Sequence, residues 1–336
     1  MMWDVAKDDG QTLLPSAYAV AATFGIGKQD GTLTELTGTV AVNEFNTATS
    51  DPAVQAVMSD STYRQPQGGA SDTTGLSLTA TDNTNLLALA GAVDADAVIQ
   101  LGVAVAKNKL ANTTTAHIES STVEVNNGNV DVTAVINPEL NAFALGVSVT
   151  NETGAVFAGS GASNVAPLTA DAHVAGDVSQ GVTDTTIEGA SNITVHAEIN
   201  YTDVTAGAGM FGLQTKGGEG VGIGAAVALN DLSSNHATAY VNGAGLSAFD
   251  SIDVSARTGM VTDGVVLGLA VGLEGAQNFA LGGSVVNNIV EPTTEAYVTG
   301  TTTTIDAGGD ITITAEEEKL VVSSGAGVIS AATKQA

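Results

Sequence analysis

Apolar and polar residues alternate with period two along most of the chain. The clearest stretches are Leu76-Ser-Leu-Thr-Ala80, Val130-Asp-Val-Thr-Ala134, Ile193-Thr-Val-His-Ala197, Ile252-Asp-Val-Ser-Ala256 and Ile311-Thr-Ile-Thr-Ala315. Such alternation predicts strands with one buried face. The closing alanines lie 54, 63, 59 and 59 residues apart, so the pattern belongs to an internal repeat of about 59 residues. A repeat of this length predicts stacked units that share one core. No long amphipathic helix is predicted.

Three parts recur within a unit. The first is a Gly/Ala/Val segment ending near asparagine: Gly38–Asn43, Gly102–Asn108, Gly146–Asn151, Gly224–Asn230 and Gly282–Asn287. Asparagine at such an end suits a turn. The second part reads Ala116-His-Ile118, Ala172-His-Val174, Ala239-Tyr-Val241 and Ala296-Tyr-Val298, with a degenerate copy near Ala56-Val-Met58. The third is a strand, a polar turn and a strand, as in Val123–Val130 and Ile305–Ile311. That turn fits either a hairpin or a corner. Gly-rich bridges of variable length follow it.

These features predict an all-β fold: a right-handed parallel β-solenoid of about five repeats, occupying residues 34–336. Residues 1–33 are expected to be a partial preceding unit or a cap, with a short capping helix allowed. With roughly 20 residues per coil, each unit would supply about three coils and the chain would reach about 80 Å. The alternative is a row of small antiparallel β-sandwich modules, although 59 residues is small for an independent core. Exposed coil ends predict aggregation or end-to-end stacking.

Composition narrows the function. The chain has 336 residues, 43% of them hydrophobic but only 4% aromatic, which fits a narrow interior. Its 36 acidic and 9 basic residues give a net charge of −27. That opposes nucleic acid and anionic membranes, both of which need clustered Lys and Arg. No cysteine is present, so disulfides and thiolate metal sites are excluded. The start, Met1–Asp9, lacks the apolar stretch of a signal peptide. The apolar run Gly264–Leu273 is too short to span a bilayer. Val321–Ala336 begins another Gly/Ala-rich segment, and a piece of a longer protein is expected.

Candidate chemistry is sparse. His117 and His173 occupy a slot that later copies fill with Tyr240 and Tyr297, as a half-exposed strand position would. His196 and His236 are isolated, and none shows the HExxH spacing. Phe24-Gly-Ile-Gly-Lys28 lacks the Walker glycine, since Ala22 stands there, and Gln29 replaces the magnesium-binding Ser or Thr. Gly220–Gly224 has Val227 where a dinucleotide fingerprint needs glycine. Both read as strand glycines. Asp94, Asp96 and Glu316–Glu318 offer at most weak ion collection, the last reading as a solvated run that blunts an edge. Arg64, near Asp60 and Tyr63, is the one irregular spot. Thr301–Thr304 raises an ice-binding face, but the threonine positions vary between copies. No catalytic, cofactor-binding or metal-binding residue is nominated, and no enzyme activity is expected.

The unit formed by Ala296-Tyr-Val-Thr-Gly300, Ile305-Asp-Ala-Gly-Gly-Asp-Ile-Thr-Ile-Thr-Ala315 and the strand at Gly282–Asn287 resembles the repeat regions of giant bacterial filamentous-haemagglutinin-like adhesins. The resemblance runs from about Thr34 to the C-terminus. It implies an extended β-helix at the cell surface or secreted, active in attachment to a glycan or protein target. The family's secretion domain and transporter-recognition motifs have no match here, and no site residues carry over. The alternatives are a carbohydrate-active β-helix (a polysaccharide lyase or hydrolase) and an ice- or calcium-binding solenoid.

Overall fold

Inward residues along each strand alternate with outward ones, and the backbone answers with parallel pairing throughout. The computed structural model describes residues 16–26, 34–46, 54–65, 75–95, 99–150, 154–176, 185–214, 219–272 and 277–332. Among these residues there is no helix and every paired strand runs parallel to its neighbour. The antiparallel-module alternative is therefore corrected. The third part of the unit is a corner, because Thr122–Glu124 and Val130–Ile136 both pair with the one strand Thr185–Asn200.

The strands form four rows. The first holds Ser16–Ile26, Asn85–Ala95, Glu139–Thr150, Asp203–Gln214 and the segments 262–272 and 321–332. The second holds Thr34–Asn46, 99–111, Ala155–Val165, Glu219–Leu232 and Gln277–Val290. The third holds Val54–Ser59, 112–119, Leu168–Ala175, His236–Asn242 and Thr293–Thr299. The fourth carries the alanine-ended segments. There Ala80 pairs with Ala134, Ala134 with Ala197, Ala197 with Ala256, and Ala256 with Ala315. The chain visits the rows in turn and returns one layer further on.

This register corrects the coil size. A residue's partner lies a whole sequence unit away, so a unit supplies one wide layer rather than three narrow coils. Five spacings of about 4.8 Å make the stack about 24 Å high, not 80 Å. The Gly-rich bridges are themselves strands, filling the first row and part of the second. Ser16–Ile26 joins the stack as an outermost strand, while residues 1–15 and 27–33, including the expected cap, lie outside the described residues.

The first and fourth rows merge into one sheet of twelve strands, the second and third into another of nine. The two sheets face each other over two different interiors. Between the third and fourth rows lie Ile118, Val132, Ile136, Leu168, Ile193, Ile199, Val241 and Ile252, all buried. Between the first and second rows the apolar filling is almost entirely alanine, including Ala88, Ala106, Ala142, Ala206 and Ala228, with buried polar side chains such as Thr39, Gln100 and Ser148 among them. Side chains this small let Cα atoms of the two rows approach within 8 Å, closer than the ~10 Å of ordinary stacked sheets. The molecule thus has a thick branched-aliphatic half and a thin alanine half.

Candidate functional site

The parity that turns apolar side chains inward also turns a few polar ones inward, and these set the most ordered polar features. Asn43, Asn108, Asn164 and Asn230 are buried at the end of the alanine interior. Each amide donates to the next: Asn43 Nδ2 to Asn108 Oδ1, Asn108 to Asn164, Asn164 to Asn230, and Asn230 to Asn288, all at 2.9 Å. Second protons reach backbone carbonyls of the facing row, as from Asn43 to Leu87 at 2.7 Å, from Asn108 to Asn141 at 2.8 Å and from Asn164 to Thr205 at 2.8 Å. The asparagines form an interior ladder that ties the two sheets together. They do not end strands in turns, which corrects the expectation for Asn43, Asn108 and Asn230. Asn164 and Asn288 take the places assigned to Asn151 and Asn287. Gly146–Thr150 lies in the first row, not the second, and Asn151 is outside the described residues.

On the outer face of the third row the register brings His117, His173, Tyr240 and Tyr297 into one column. Their rings stack at centroid separations of 4.7, 4.6 and 5.2 Å and lie within 10° of parallel. The sequence placed these four in one slot, but the continuous ring stack follows only from the layer register. His173 Nδ1 is hydrogen-bonded to the Asp171 carboxylate. His117 Nδ1 is buried without a hydrogen-bond partner, and burial, followed by repulsion from His173, lowers the His117 pKa. Burial likewise raises the Tyr240 pKa, with Asp171 adding to it. Each inner ring is covered on both faces by its neighbours. The middle of the column therefore presents ring edges, and His117 and Tyr297 are its end rings.

His196 is not isolated in space. Its Nδ1 lies 3.1 Å from Ser255 Oγ and its Nε2 3.4 Å from Glu198. Serine, histidine and carboxylate in contact invite a nucleophilic reading. The proton direction opposes it: Ser255 Oγ donates to Asp253 at 2.8 Å, so it accepts from the imidazole rather than giving up its proton to it. The surrounding backbone amides belong to a continuous parallel ladder and are committed to neighbouring strands.

Arg64 makes a two-point ion pair with Glu124, at 2.6 and 2.7 Å, and both side chains are exposed. The guanidinium holds Glu124 below the usual carboxylate range, and Arg64 is raised in turn. Tyr63 is half-buried with its hydroxyl 3.4 Å from the Gly75 carbonyl, and the Asp60 amide donates to the Glu119 carbonyl. Together they knit strands; they do not converge on a cleft. Asp94 is buried in the thin half rather than collecting ions at the surface, and Asp96 is outside the described residues. Glu316–Glu318 stand exposed on an outermost strand, with Arg257 paired to Glu318. Gly220–Gly224 lies in the strand Glu219–Leu232. Phe24 to Ile26 end a strand, and Gly27, Lys28 and Gln29 are outside the described residues. His236 begins a strand and is exposed. Thr301 and Thr302 form a turn before the strand Thr304–Ala307. No group of three metal-ligating side chains gathers among the described residues.

Compared with known proteins, the chain matches no family model, no curated protein and no solved structure.

Proposed function

We propose that the chain is a right-handed parallel β-solenoid of about five repeats of about 59 residues each. We further propose that it is a structural and adhesive segment of a large, repetitive bacterial surface or secreted fibrous protein. One observation supports this reading: three columns of equivalent positions carry like residues from layer to layer. Alanine meets alanine in the fourth row, asparagine meets asparagine in the interior, and ring meets ring outside. A catalyst needs one layer that differs from the rest, with acids and bases converging on a reacting atom. A scaffold needs layers that are alike. The acidic exterior keeps such a body soluble and turns away nucleic acid and anionic bilayers. The resemblance to filamentous-haemagglutinin-like repeats points to attachment at the cell surface or outside it, with a glycan or protein as target.

The test pairs a glycan and extracellular-matrix array with a polysaccharide depolymerisation screen. Saturable capture without product formation is expected. Release of oligosaccharides at a steady rate would defeat the scaffold reading.

A further inference from the structure

The thin half exposes apolar side chains where a solvated sheet carries polar ones. On the outer face of the first row Val20 is 70% exposed, Phe24 76%, Phe143 41% and Leu145 50%. Scattered apolar residues at a surface need no explanation, but a contiguous patch does. Phe143 and Leu145 form a ridge. Beside them Gly91, Gly207 and Gly209 leave an open trough of about 520 Å³ with an almost wholly apolar lining. The trough exists because glycine occupies these positions: a Cβ on Gly207 would meet the Phe143 ring at 2.6 Å. Glu139 and Asp203 stand at the border of this face, outside its centre.

We propose that this face is covered by the same face of a second copy, giving a two-fold dimer. Shape supports it, since a ridge beside a trough is self-complementary under a two-fold axis. Area supports it as well. Strands of about 11 residues by six strands make a face of roughly 35 by 24 Å. Two such faces bury about 1,700 Å², the size of a standard stable interface. A small apolar ligand fits less well, because an open trough cannot enclose it as binding pockets do. A bilayer fits less well too, because the outermost strands of the stack present unpaired backbone groups that hydrocarbon cannot satisfy. Among the described residues the first row has six strands and the other rows five, so the described ends do not mate row for row. The opposite face, on the second row, is also apolar, at Leu36, Val40, Val105, Ile223, Val227 and Val285, but Lys107 and the Lys109–Glu44 pair charge one end of it.

Analytical ultracentrifugation tests the dimer with the full chain and two variants. Leu145→Glu places carboxylates against each other across the axis and is expected to weaken dimerisation at least about 100-fold. Val285→Glu, on the opposite face, is expected to leave the dimer unchanged. Both copies carry a charge of −27, so dimerisation is expected to strengthen when salt rises to about 0.5 M. Circular dichroism checks that each variant is folded. Should Leu145→Glu fail to fold, Val20→Glu on the outermost strand takes its place. A wild-type monomer at about 100 µM in that salt overturns the proposal. So does a dimer that survives the first-row change or is lost with Val285→Glu. Flotation of a monomer with phosphatidylcholine vesicles, abolished by Leu145→Glu, would give the face to a bilayer instead.

Discussion

Removing one rung from the asparagine ladder tests whether the layers cohere through it. Asn164 is fully buried and sits mid-ladder. Its Oδ1 accepts from Asn108, and its Nδ2 donates to Asn230 Oδ1 and to the Thr205 carbonyl. Alanine deletes three hydrogen bonds, each worth about 1 kcal/mol net. Two of these losses leave an acceptor unfilled in a dry interior, where the cost lies at about 1–3 kcal/mol each in place of the net value. Asn108 is partly compensated, since its Nδ2 still reaches the Asn141 and Leu86 carbonyls. The expected loss for Asn164→Ala is about 3–4 kcal/mol, a large share of a typical folding free energy of about 5–15 kcal/mol. Asn288→Ala is the comparison. Its Oδ1 accepts from Asn230, but its Nδ2 partners, Ser323 O and Ser324 Oγ, are at the exposed end, where water replaces those lost contacts. About 1 kcal/mol is expected there, from the one bond to Asn230. Urea unfolding reads both as midpoint shifts at constant slope. Equal losses at the two positions, or a loss below about 1 kcal/mol at Asn164, would refute the idea that the buried rungs hold the sheets together.

Three further outcomes follow from local geometry. Because the folded His117 pKa is lowered, the folded chain binds fewer protons than the unfolded one just below the unfolded value of about 6.5. Stability should fall as pH drops through that value toward the folded pKa, and His117→Tyr, which matches Tyr240 and Tyr297, should flatten the melting-temperature profile between about pH 5 and 7. Gly189 has φ +75°, and a Cβ there would sit 2.2 Å from the Val125 carbonyl oxygen. Gly189→Ala should cost about 2 kcal/mol or more in urea unfolding. Gly161→Ala, with nothing within 4 Å of the new methyl, should stay close to wild type. Thr194 separates Asp131 from Asp253 in one column. Thr194→Asp should destabilise by about 1–2 kcal/mol at low salt and recover in about 1 M salt, whereas Thr194→Asn should show no such recovery.

The sequence revealed the strands, the parallel alanine columns and the third-row motif, because each of these is a local pattern repeated at similar spacing. Even the degenerate Ala56-Val-Met58 keeps register, with Ala56 beside Ala116. The width of a layer was not legible. Residue spacing states how far apart equivalent strands lie, not how many times the chain turns between them. First-row strands such as Asp203–Gln214 were read as part of the Gly-rich bridges, since their inward side chains are scarcely more apolar than their outward ones. The asparagine ladder did leave a signal. In Ala106-Lys-Asn108-Lys-Leu110 the asparagine shares parity with inward apolar residues, so it points to the core. Asn151 and Asn287 were chosen by proximity to strand ends instead; Asn287 is one position off that parity, and the strand before Asn151 belongs to the first row. The His196–Ser255 contact joins residues 59 apart and needed the register itself.

In-register parallel stacking places each residue about 4.8 Å from its equivalents above and below, which makes a strongly acidic chain a problem of arrangement. If the acidic positions repeated from copy to copy, carboxylates would line up in rows and repel along the whole stack. The register avoids this. Asp131 lies between Ser77 and Thr194, Asp253 between Thr194 and Thr312, and Asp171 between Thr115 and Thr238. Glu198 and Glu316 flank Arg257, and Glu44 meets Lys109. Among the described strand pairings carboxylates adjoin only at Glu124–Glu188 and Glu139–Asp203. Glu124 is also held by Arg64. Acids must therefore shift between copies while alanine, asparagine and ring positions stay fixed. That requirement makes the outward sequence look irregular over a regular interior, and it lets a net charge of −27 coexist with layers stacked at strand spacing.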